Sequence, residues 1–339
     1  MAGLFSSIQI KNMTLCNRIV MPPMCMYSAS QDGKVNEWHL LHYPTRAVGG
    51  VGLIIVEATA VEARGRISPK DLGIWSNDQI DGLKRLVEKI HANGSLAVIQ
   101  LAHAGRKCAI KEERIIAPSA IAFNEEYQNP NAMSHEEIQE VVEAFKNGAQ
   151  RALKAGFDGI EIHAAHGYLI NQFLSPLTNL RNDSYGGNEK KRSKFLREIL
   201  EVVGQVWDSE KLIFLRVSAE EYHESGNHPN DLAAIVNDVK ESIDLVHVSS
   251  GGVIPASVPA YPGYQVAFAE TIRQATGLPV IAGGLITRSQ MAEEIIRNQR
   301  ADLVFLGREL LRNPYWPLQA AKELGIDIPW PEQYERSKG

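Results

Sequence analysis

The sequence is most informative at Phe157-Asp-Gly-Ile-Glu-Ile-His-Ala-Ala-His-Gly-Tyr168, where an apolar run leads into two histidines and a tyrosine. Side chains of a strand alternate between its two faces, so His163 and His166 cannot share one face of a regular strand. We therefore expect the strand to end near Ala164 and turn, which brings both imidazoles and the Tyr168 phenol to one mouth. Two neutral N–H donors beside a phenolic acid suit polarising a carbonyl and delivering a proton. On this stretch alone, a merely structural histidine pair is an equally good interpretation.

The bulk composition is that of an ordinary globular protein. The chain has 339 residues, 44% hydrophobic and 22% charged, which is enough for one large domain or two ordinary ones. A net charge of −5 with mixed signs argues against a surface that binds nucleic acid or an anionic membrane. No apolar run approaches the roughly 20 residues of a membrane-spanning helix. No signal peptide is recognisable, so we expect a cytoplasmic protein.

Three cysteines are widely spaced along the chain, at Cys16, Cys25 and Cys108. Their odd number and their spacing match neither a disulfide framework nor a zinc or iron–sulfur ligand set. We therefore expect no metal site.

Eight short apolar runs alternate with amphipathic segments along the chain. We predict strands at 18–24, 52–60, 96–102, 159–163, 212–218, 245–249, 279–282 and 302–306. Capping-box sequences predict helix starts at Ser76, Ser134 and Thr287. Strands that are continuously apolar are typical of parallel sheets covered by helices. The sequence therefore predicts an α/β fold, a single (β/α)8 TIM barrel over residues 1–339.

A doubly wound nucleotide-binding sheet is the alternative architecture. The nearest match to its glycine fingerprint is Gly50-Val-Gly52, which lacks the third glycine. That stretch also precedes a strand instead of following one, so the context is wrong. The barrel is the better interpretation.

The residues beyond a minimal barrel lie in three places. Segments 105–133 and 167–188 follow the third and fourth predicted strands, and a tail covers 325–339. In a barrel the first two overhang the C-terminal ends of the strands, where active sites lie. Long loops are commonly functional, so we expect both segments to act as lids.

Glycines follow the last two predicted strands. The seventh ends at Ala282-Gly283-Gly284, and the eighth runs into Gly307-Arg308. Phosphate often binds at these two loops of a TIM barrel, because glycines allow close backbone approach and arginine adds a forked donor. The sequence predicts a phosphate site, with tight unliganded turns as the alternative.

Polar residues interrupt the strands at Gln100 and Arg216, and Cys25 and Tyr27 follow the first strand. A charge inside a barrel strand is costly unless it is paired, and no carboxylate follows Arg216 on its strand until Glu220. Contact with an anionic cofactor is favoured over an internal salt bridge, which stays open. Packing is the plain interpretation of Cys25, although its place at a strand end favours a position beside the site.

Several motifs, in order along the chain, resemble the Old Yellow Enzyme family. They are Pro22-Pro-Met-Cys-Met-Tyr27, Gln100-Leu-Ala-His-Ala-Gly-Arg-Lys107, His163-Ala-Ala-His-Gly-Tyr168, Asn179-Leu-Arg-Asn-Asp-Ser-Tyr-Gly-Gly187 and Phe305-Leu-Gly-Arg308. The match covers nearly the whole chain. The cysteine after Pro-Met and the C-terminal Gln333-Tyr-Glu-Arg336 are similar to the short bacterial, thermophilic-type members.

The resemblance implies an FMN-dependent NAD(P)H oxidoreductase, an NADPH dehydrogenase or ene-reductase that uses NADPH or NADH. Its substrates would be electron-poor alkenes: enones, enals, nitroalkenes and maleimides. It implies that His163 and His166 bind the substrate's carbonyl or nitro oxygen, and that Tyr168 protonates the α-carbon. N5 of a non-covalently bound FMN would deliver hydride to the β-carbon.

The resemblance also assigns residues to cofactor, substrate and partner. Gln100 would bond the flavin ring, and Arg216 would lie at its N1/O2 edge. The remaining cofactor contacts would be Pro22, Pro23, Met24, Cys25, Ala58, Gly283, Gly284, Gly307 and Arg308. The Cys25 thiol would tune the redox potential. Tyr27 would touch substrate, and Arg336 would reach a neighbour's active site in a homodimer or homotetramer, which places the tail at the subunit interface.

One residue departs from the family, since Pro22 stands where relatives can carry a small polar residue. A hydroxyl contact to the flavin is absent there, and proline also lacks a backbone N–H.

Two other functions compete with this one. A dienoyl-CoA-reductase-like enzyme needs an iron–sulfur cluster and an appended nucleotide domain, against which the scattered cysteines and the chain length argue. A non-catalytic barrel that merely binds flavin or phosphate has no need for a proton donor such as Tyr168.

Overall fold

Twelve strands and eleven α-helices make up the fold, and the computed structural model describes residues 2–338. The strands are β1 Ile8–Ile10, β2 Met13–Leu15, β3 Ile19–Met21, β4 Leu53–Ala60, β5 Leu96–Ala102, β6 Ile116–Ala117, β7 Asn131–Ala132, β8 Gly159–Ala164, β9 Leu212–Ser218, β10 Leu245–Ser249, β11 Val280–Ala282 and β12 Leu303–Phe305. The helices are α1 Glu37–Val48, α2 Ile80–His91, α3 His135–Ala155, α4 Leu169–Leu174, α5 Glu189–Arg192, α6 Lys194–Gly204, α7 Pro229–Val239, α8 Val266–Thr276, α9 Ser289–Arg297, α10 Arg308–Arg312 and α11 Trp316–Glu323.

Eight of the strands form a closed parallel barrel. Their order around the barrel is β3, β4, β5, β8, β9, β10, β11 and β12, and β12 pairs back onto β3. Helices follow the strands on the outside, so the predicted (β/α)8 TIM barrel is confirmed and the doubly wound sheet is excluded.

The longest helix shows how the sequence sets these elements. The Ser134 hydroxyl accepts a hydrogen bond from the Glu137 N–H at 3.1 Å, and the Glu137 carboxylate accepts one from the Ser134 N–H at 2.9 Å. This reciprocal capping box begins α3 as predicted. Gly156, with φ of 91°, ends it in the left-handed conformation that glycine adopts without a steric penalty.

The two faces of each barrel strand pack against different surroundings. On β8, Ile160 and Ile162 belong to the large apolar core between the strands and the helices. The alternate positions, Glu161 and His163, face the barrel interior, which side-chain alternation requires. On β8, therefore, the outward positions are apolar and these two inward positions are polar, so the expected continuous apolarity does not hold for this strand.

A hairpin closes the N-terminal end of the barrel. Ile10 of β1 and Leu15 of β2 are buried against interior residues such as Leu53, Leu212 and Leu303. The lower interior is therefore a sealed apolar core, and the polar interior positions lie toward the C-terminal ends of the strands.

Two predicted boundaries are wrong. The first barrel strand ends at Met21, not at residue 24, because Pro22 and Pro23 lack the N–H groups that a ladder needs. The helix expected to begin at Thr287 begins at Ser289, with Arg288 as its N-cap and no side-chain cap. The Thr287 carbonyl instead accepts a hydrogen bond from the Trp316 indole N–H at 2.9 Å.

The two long segments after β5 and β8 are partly ordered into short elements. Segment 105–133 contains the β6–β7 pair, and segment 167–188 contains α4. The buried Arg106 guanidinium donates to the carbonyls of Ile121, Ala122 and Val253, which ties the first segment to the loop after β10.

Candidate active site

The end of β8 brings together the two histidines and the tyrosine, as expected. The strand ends at Ala164, and His166 takes a φ of 58°, a left-handed conformation that turns the chain sharply. The His163 ring lies edge-to-face with the His166 ring at 5.2 Å and with the Tyr168 ring at 4.9 Å between centroids. Three ring systems therefore share one mouth.

Hydrogen bonds define the protonation of the two imidazoles. The Ala165 N–H donates to His163 Nδ1 at 3.3 Å, so the neutral ring carries its proton on Nε2. That Nε2 lies 3.5 Å from His166 Nδ1, and His166 Nε2 lies 2.7 Å from the Ser249 hydroxyl. Each ring thus carries an Nε2–H donor at the mouth.

Burial keeps all three rings uncharged. It lowers the pKa of His163 and of His166 well below the usual value, and the nearby Arg216 charge lowers both further. Burial also raises the pKa of Tyr168 well above its usual value, so the phenol keeps its proton. The mouth therefore offers two neutral donors and one weak acid.

Lys107 holds this turn in place, a contact that the sequence reasoning missed. Its ammonium donates to the carbonyls of His166 at 2.9 Å and Gly252 at 3.2 Å, and lies 5.1 Å from the Tyr168 ring centroid. Burial and the Arg106 charge lower the pKa of Lys107 to about 8. The signal was present in its position two residues after Gly105, in the loop that follows β5 at the C-terminal end of the barrel.

Four polar side chains form one layer inside the barrel, just below the mouth. Gln100, Glu161, Arg216 and His247 lie on β5, β8, β9 and β10, and none is more than 7% exposed. Gln100 Nε2 donates to one Glu161 oxygen at 2.7 Å, and His247 Nδ1 donates to the other at 2.7 Å. We call these four residues the polar layer.

The internal salt bridge considered for Arg216 does not form. Within residues 2–338 no carboxylate oxygen lies within 4.0 Å of its guanidinium, and its buried Nε has no partner. The charge of Glu161 nevertheless opposes the lowering of the Arg216 pKa by burial. An unpartnered buried cation at this depth fits an anionic ligand.

The segment after β3 forms the opposite side of the mouth. Pro22 and Pro23 are buried, Met24 and Cys25 are half-buried, and Tyr27 is exposed with a φ of 50°. Burial, with the nearby Glu57 carboxylate, raises the pKa of Cys25, so the group is a thiol. Cys25 and Tyr27 are also near enough to Tyr168 to affect its pKa.

Glu57 holds this segment through a backbone hydrogen bond, a role that the sequence did not predict. Its carboxylate accepts hydrogen bonds from the Met26 N–H at 2.8 Å and from the Tyr43 hydroxyl at 3.0 Å. Burial raises its pKa to about 7. The pairing of β4 with β5 shifts register between Val56 and Thr59, so Ala58 lies in an irregularity of the kind common beside active sites.

A polar cavity of about 230 Å³ lies at the ends of β11 and β12. Among its lining residues are the predicted Arg216, Gly284, Gly307 and Arg308. Gly284 has a φ of 100°, and a Cβ there would lie 2.8 Å from the Tyr264 ring. A Cβ on Gly283 would lie 2.4 Å from the Phe305 ring, so neither position has room for a side chain.

The cavity borders the β3 side of the mouth at Gly307. A Cβ built on Gly307 would lie 3.6 Å from the Met24 sulfur and 3.8 Å from the Pro22 ring. An elongated ligand with a phosphate at one end and a ring system at the other would therefore contact both groups. The cavity, the glycines and the unpartnered Arg216 fit FMN.

Arg336 lies apart from these groups, in an exposed 3₁₀ helix, Glu332–Ser337. The Tyr334 hydroxyl of that segment lies 3.2 Å from the Tyr315 hydroxyl. The structure therefore does not bring Arg336 to its own chain's mouth, and its reach into a neighbouring subunit stays a prediction.

Among residues 2–338, no group of three or more His, Cys, Asp or Glu side chains could hold a metal ion. Over the same residues, no helix combines the length and the apolar character that crossing a bilayer requires.

Comparison with known proteins identifies the family. Residues 3–326 match the model of the NADH:flavin oxidoreductase / NADH oxidase family. The chain is 57% identical over 335 residues to an NADPH dehydrogenase of Geobacillus sp. (strain WCH70), and 53% identical over 335 residues to one of Bacillus subtilis (strain 168). Each alignment covers 98% of both chains.

Solved structures agree with this assignment. Morphinone reductase superposes with a TM-score of 0.83 at 28% identity, over 97% of this chain and 91% of that one. A 2-naphthoyl-CoA reductase complex gives 0.90 at 24% identity, over 95% of this chain; this chain spans about half of it, 52%, and the likeness shows the fold alone. The chain belongs to the NADH:flavin oxidoreductase / NADH oxidase family, that is, to the Old Yellow Enzyme family, and is an FMN-dependent oxidoreductase.

Proposed function

We propose that the protein is an NADPH-dependent ene-reductase that reduces the C=C bond of enones, enals, nitroalkenes and maleimides. The observation that carries the proposal is the arrangement of His163, His166 and Tyr168: two neutral N–H donors and a protonated phenol at one mouth. The relatives named NADPH dehydrogenase support NADPH as the reductant.

The residues that would hold FMN divide into two groups. Gly284, Gly307 and Arg308 would hold its phosphate, with Gly283 shaping the turn. Gln100, Arg216 and the segment 22–25 with Ala58 would contact the ring system. Bound FMN supplies the hydride chemistry, and the protein positions it and the substrate.

The histidine pair would bind the activating oxygen of the substrate. The contact from His163 Nε2–H to His166 Nδ1 is long, at 3.5 Å, and therefore weak. A carbonyl or nitro oxygen can replace it. His166 Nε2–H would exchange the Ser249 hydroxyl for the same oxygen. Two N–H donors stabilise negative charge that develops on that oxygen during reduction.

Tyr168 would supply the proton. Its ring lies 4.9 Å from His163, next to where the bound oxygen would sit, and its high pKa keeps the phenol protonated at neutral pH. The α-carbon of an alkene bound through its oxygen would lie one bond from the carbonyl carbon, within reach of this side of the mouth. Tyr27, exposed across the mouth, would contact the substrate.

Replacing Tyr168 with phenylalanine tests this role. We expect reduction of cyclohexenone by the reduced enzyme to slow about 10²-fold, in the range that general acid catalysis contributes. Reduction of bound FMN by NADPH should keep its rate, because that half-reaction needs no phenol. Stopped-flow absorbance at the flavin band measures both half-reactions separately.

Tyr185 provides a matched control, since this buried tyrosine bonds Glu198 away from the mouth. Tyr185→Phe should leave both half-reactions near wild-type rates. Equal impairment of both half-reactions in Tyr168→Phe would show that the phenol is structural.

Segments 105–133 and 167–188 would act as lids. The first contacts the mouth through Lys107, which bonds the His166 carbonyl and lies 4.4 Å from the Phe123 ring centroid. Both segments follow strands whose C-terminal ends carry the site.

The tail 325–339 would lie at the interface of a homodimer or homotetramer, with Arg336 completing a neighbour's site. The support is the exposed position of Arg336 on a segment that contacts the barrel through Tyr334 and Tyr315.

We expect Arg336→Ala to raise KM for cyclohexenone severalfold with kcat nearly unchanged. Truncation after Glu332 should alter the assembly as well, as measured by light scattering. A truncated enzyme with the wild-type KM and mass would make Arg336 a solvated tail charge.

A further inference from the structure

Glu161 is the one member of the polar layer with a negative charge, and it belongs to no motif that would assign it a role. Its side chain is fully buried in β8, two residues before His163. Both carboxylate oxygens are occupied, by Gln100 and by His247, at 2.7 Å each. The carboxylate thereby connects β5 with β10, across the strand that carries Arg216.

These two hydrogen bonds fix which atom of Gln100 and which atom of His247 is the donor, and so which atom is left as an acceptor. Gln100 donates through Nε2 to Glu161, so its Oε1 points away from the carboxylate as a free acceptor. His247 donates through Nδ1, and since burial lowers its pKa, the ring is neutral and its Nε2 is unprotonated. That Nε2 is buried without a partner.

Glu161 also sets the charge of the layer. Its negative charge raises the pKa of Arg216 against the larger lowering by burial, yet no direct ion pair forms, since both oxygens bond Gln100 and His247. The Arg216 guanidinium is therefore compensated through space and still open to contact, with its Nε unpartnered. The negative charge of Glu161 and the positive charge of Arg216 therefore sum to zero.

We propose that Glu161 is a positioning residue of the FMN site: it fixes the hydrogen-bonding polarity of Gln100, and its charge limits how strongly Arg216 favours reduced FMN. Reduction adds negative charge to the ring system, which a nearby cation stabilises and a nearby carboxylate destabilises. Because the layer is buried, both effects are weakly screened.

Glu161→Gln removes the charge at nearly constant shape. One amide oxygen can still accept, but the amide nitrogen must donate, so Gln100 must flip or His247 must change tautomer. Arg216 is left without compensation. We expect the ratio of the affinities for reduced and oxidised FMN to rise at least tenfold, which is a midpoint potential more positive by about 30 mV for a two-electron couple. Spectroelectrochemical titration of the holoenzyme measures it.

Glu221→Gln is the matched control. Glu221 is a carboxylate buried to 1% exposure in the loop after β9, and it accepts hydrogen bonds from the Ser175 hydroxyl at 2.8 Å and the Asn227 N–H at 2.9 Å. Its replacement should lower the melting temperature and leave the FMN potential unchanged. If Glu161→Gln behaves like this control, or lowers the potential, the proposal is wrong.

Glu161→Asp serves if the glutamine variant does not fold. It keeps the charge but is one methylene too short to reach Gln100 and His247 together. We expect the dissociation constant of oxidised FMN, measured by fluorescence titration of apoprotein, to rise at least fivefold with a smaller shift in potential than in Glu161→Gln. Wild-type affinity would overturn the positioning role. These readouts involve FMN alone, so their failure leaves the proposed ene-reductase activity untouched.

Discussion

His166→Ala is expected to slow the reduction of cyclohexenone by about 10²–10³-fold while FMN stays bound, because removing one preorganised donor to a developing oxyanion has an effect of that size. His163→Ala should act similarly, since each ring carries one Nε2–H donor at the mouth. Neither histidine lines the cavity that would hold the phosphate. Steady-state kinetics, with the flavin absorbance as a check on occupancy, measures the effect.

The matched control is His135→Ala, which removes an exposed imidazole bonded to Asp183 at the start of α3. It should keep wild-type turnover. Substrate affinity adds a second readout: in the two mouth variants, binding of a phenolic inhibitor, followed by its charge-transfer band with the flavin, should weaken in parallel. A mouth variant that reduces cyclohexenone at the wild-type rate would remove the histidine from the proposed oxygen site.

Arg308→Ala is expected to weaken FMN binding by about 30-fold or more, because loss of one partner of a charged hydrogen-bonded pair costs about 2 kcal/mol or more. Arg308 lines the polar cavity at the start of α10, next to Gly307. The dissociation constant of FMN from the apoprotein, measured by recovery of flavin fluorescence, gives the effect. Raising the salt concentration should reduce the difference between variant and wild type.

Arg312→Ala is the control that distinguishes the effect of the Arg308 charge from that of the other arginine beside the cavity. Arg312 lines the same cavity, but its guanidinium forms an ion pair with Glu309 at 2.5 Å. Its loss should change FMN affinity much less than the loss of Arg308. Equal losses in the two variants would mean that the cavity attracts phosphate by its overall field and not through Arg308.

The barrel was predictable because its determinants are local in the sequence. Eight apolar runs with helical segments between them leave few other folds, and capping boxes at Ser76 and Ser134 do begin their helices or the turn before them. One of the two errors had a local cause, the prolines after Met21, and the other arose where a neighbour in space competes with a local preference. Thr287 has the composition of a helix cap, yet its carbonyl is bonded by Trp316, 29 residues away.

The candidate site also contains residues that the sequence predicts and others, such as Glu161, that it does not. His163 lies at the end of β8, and His166, Tyr168 and the glycines follow strand ends, so all of them could be found from position alone. Glu161 was passed over because it lies inside a run that looked simply apolar, although strict alternation with His163 already placed both on the inner face. Its bonds to Gln100 and His247 span 61 and 86 residues, a relation that a single sequence does not reveal.

The pairing of β12 with β3 has a consequence for how the protein is made. It joins Val304 to Ile19, and the Leu4 N–H likewise bonds Glu293, 289 residues later. At 5–20 residues per second, the ribosome needs roughly 15–60 s to synthesise the chain between β3 and β12. Throughout that interval β3 lacks one of its two neighbours, and the nascent chain exposes an apolar strand edge. We therefore expect the cellular yield of this enzyme to depend on chaperones that shield the growing chain, more than on the stability of the closed barrel.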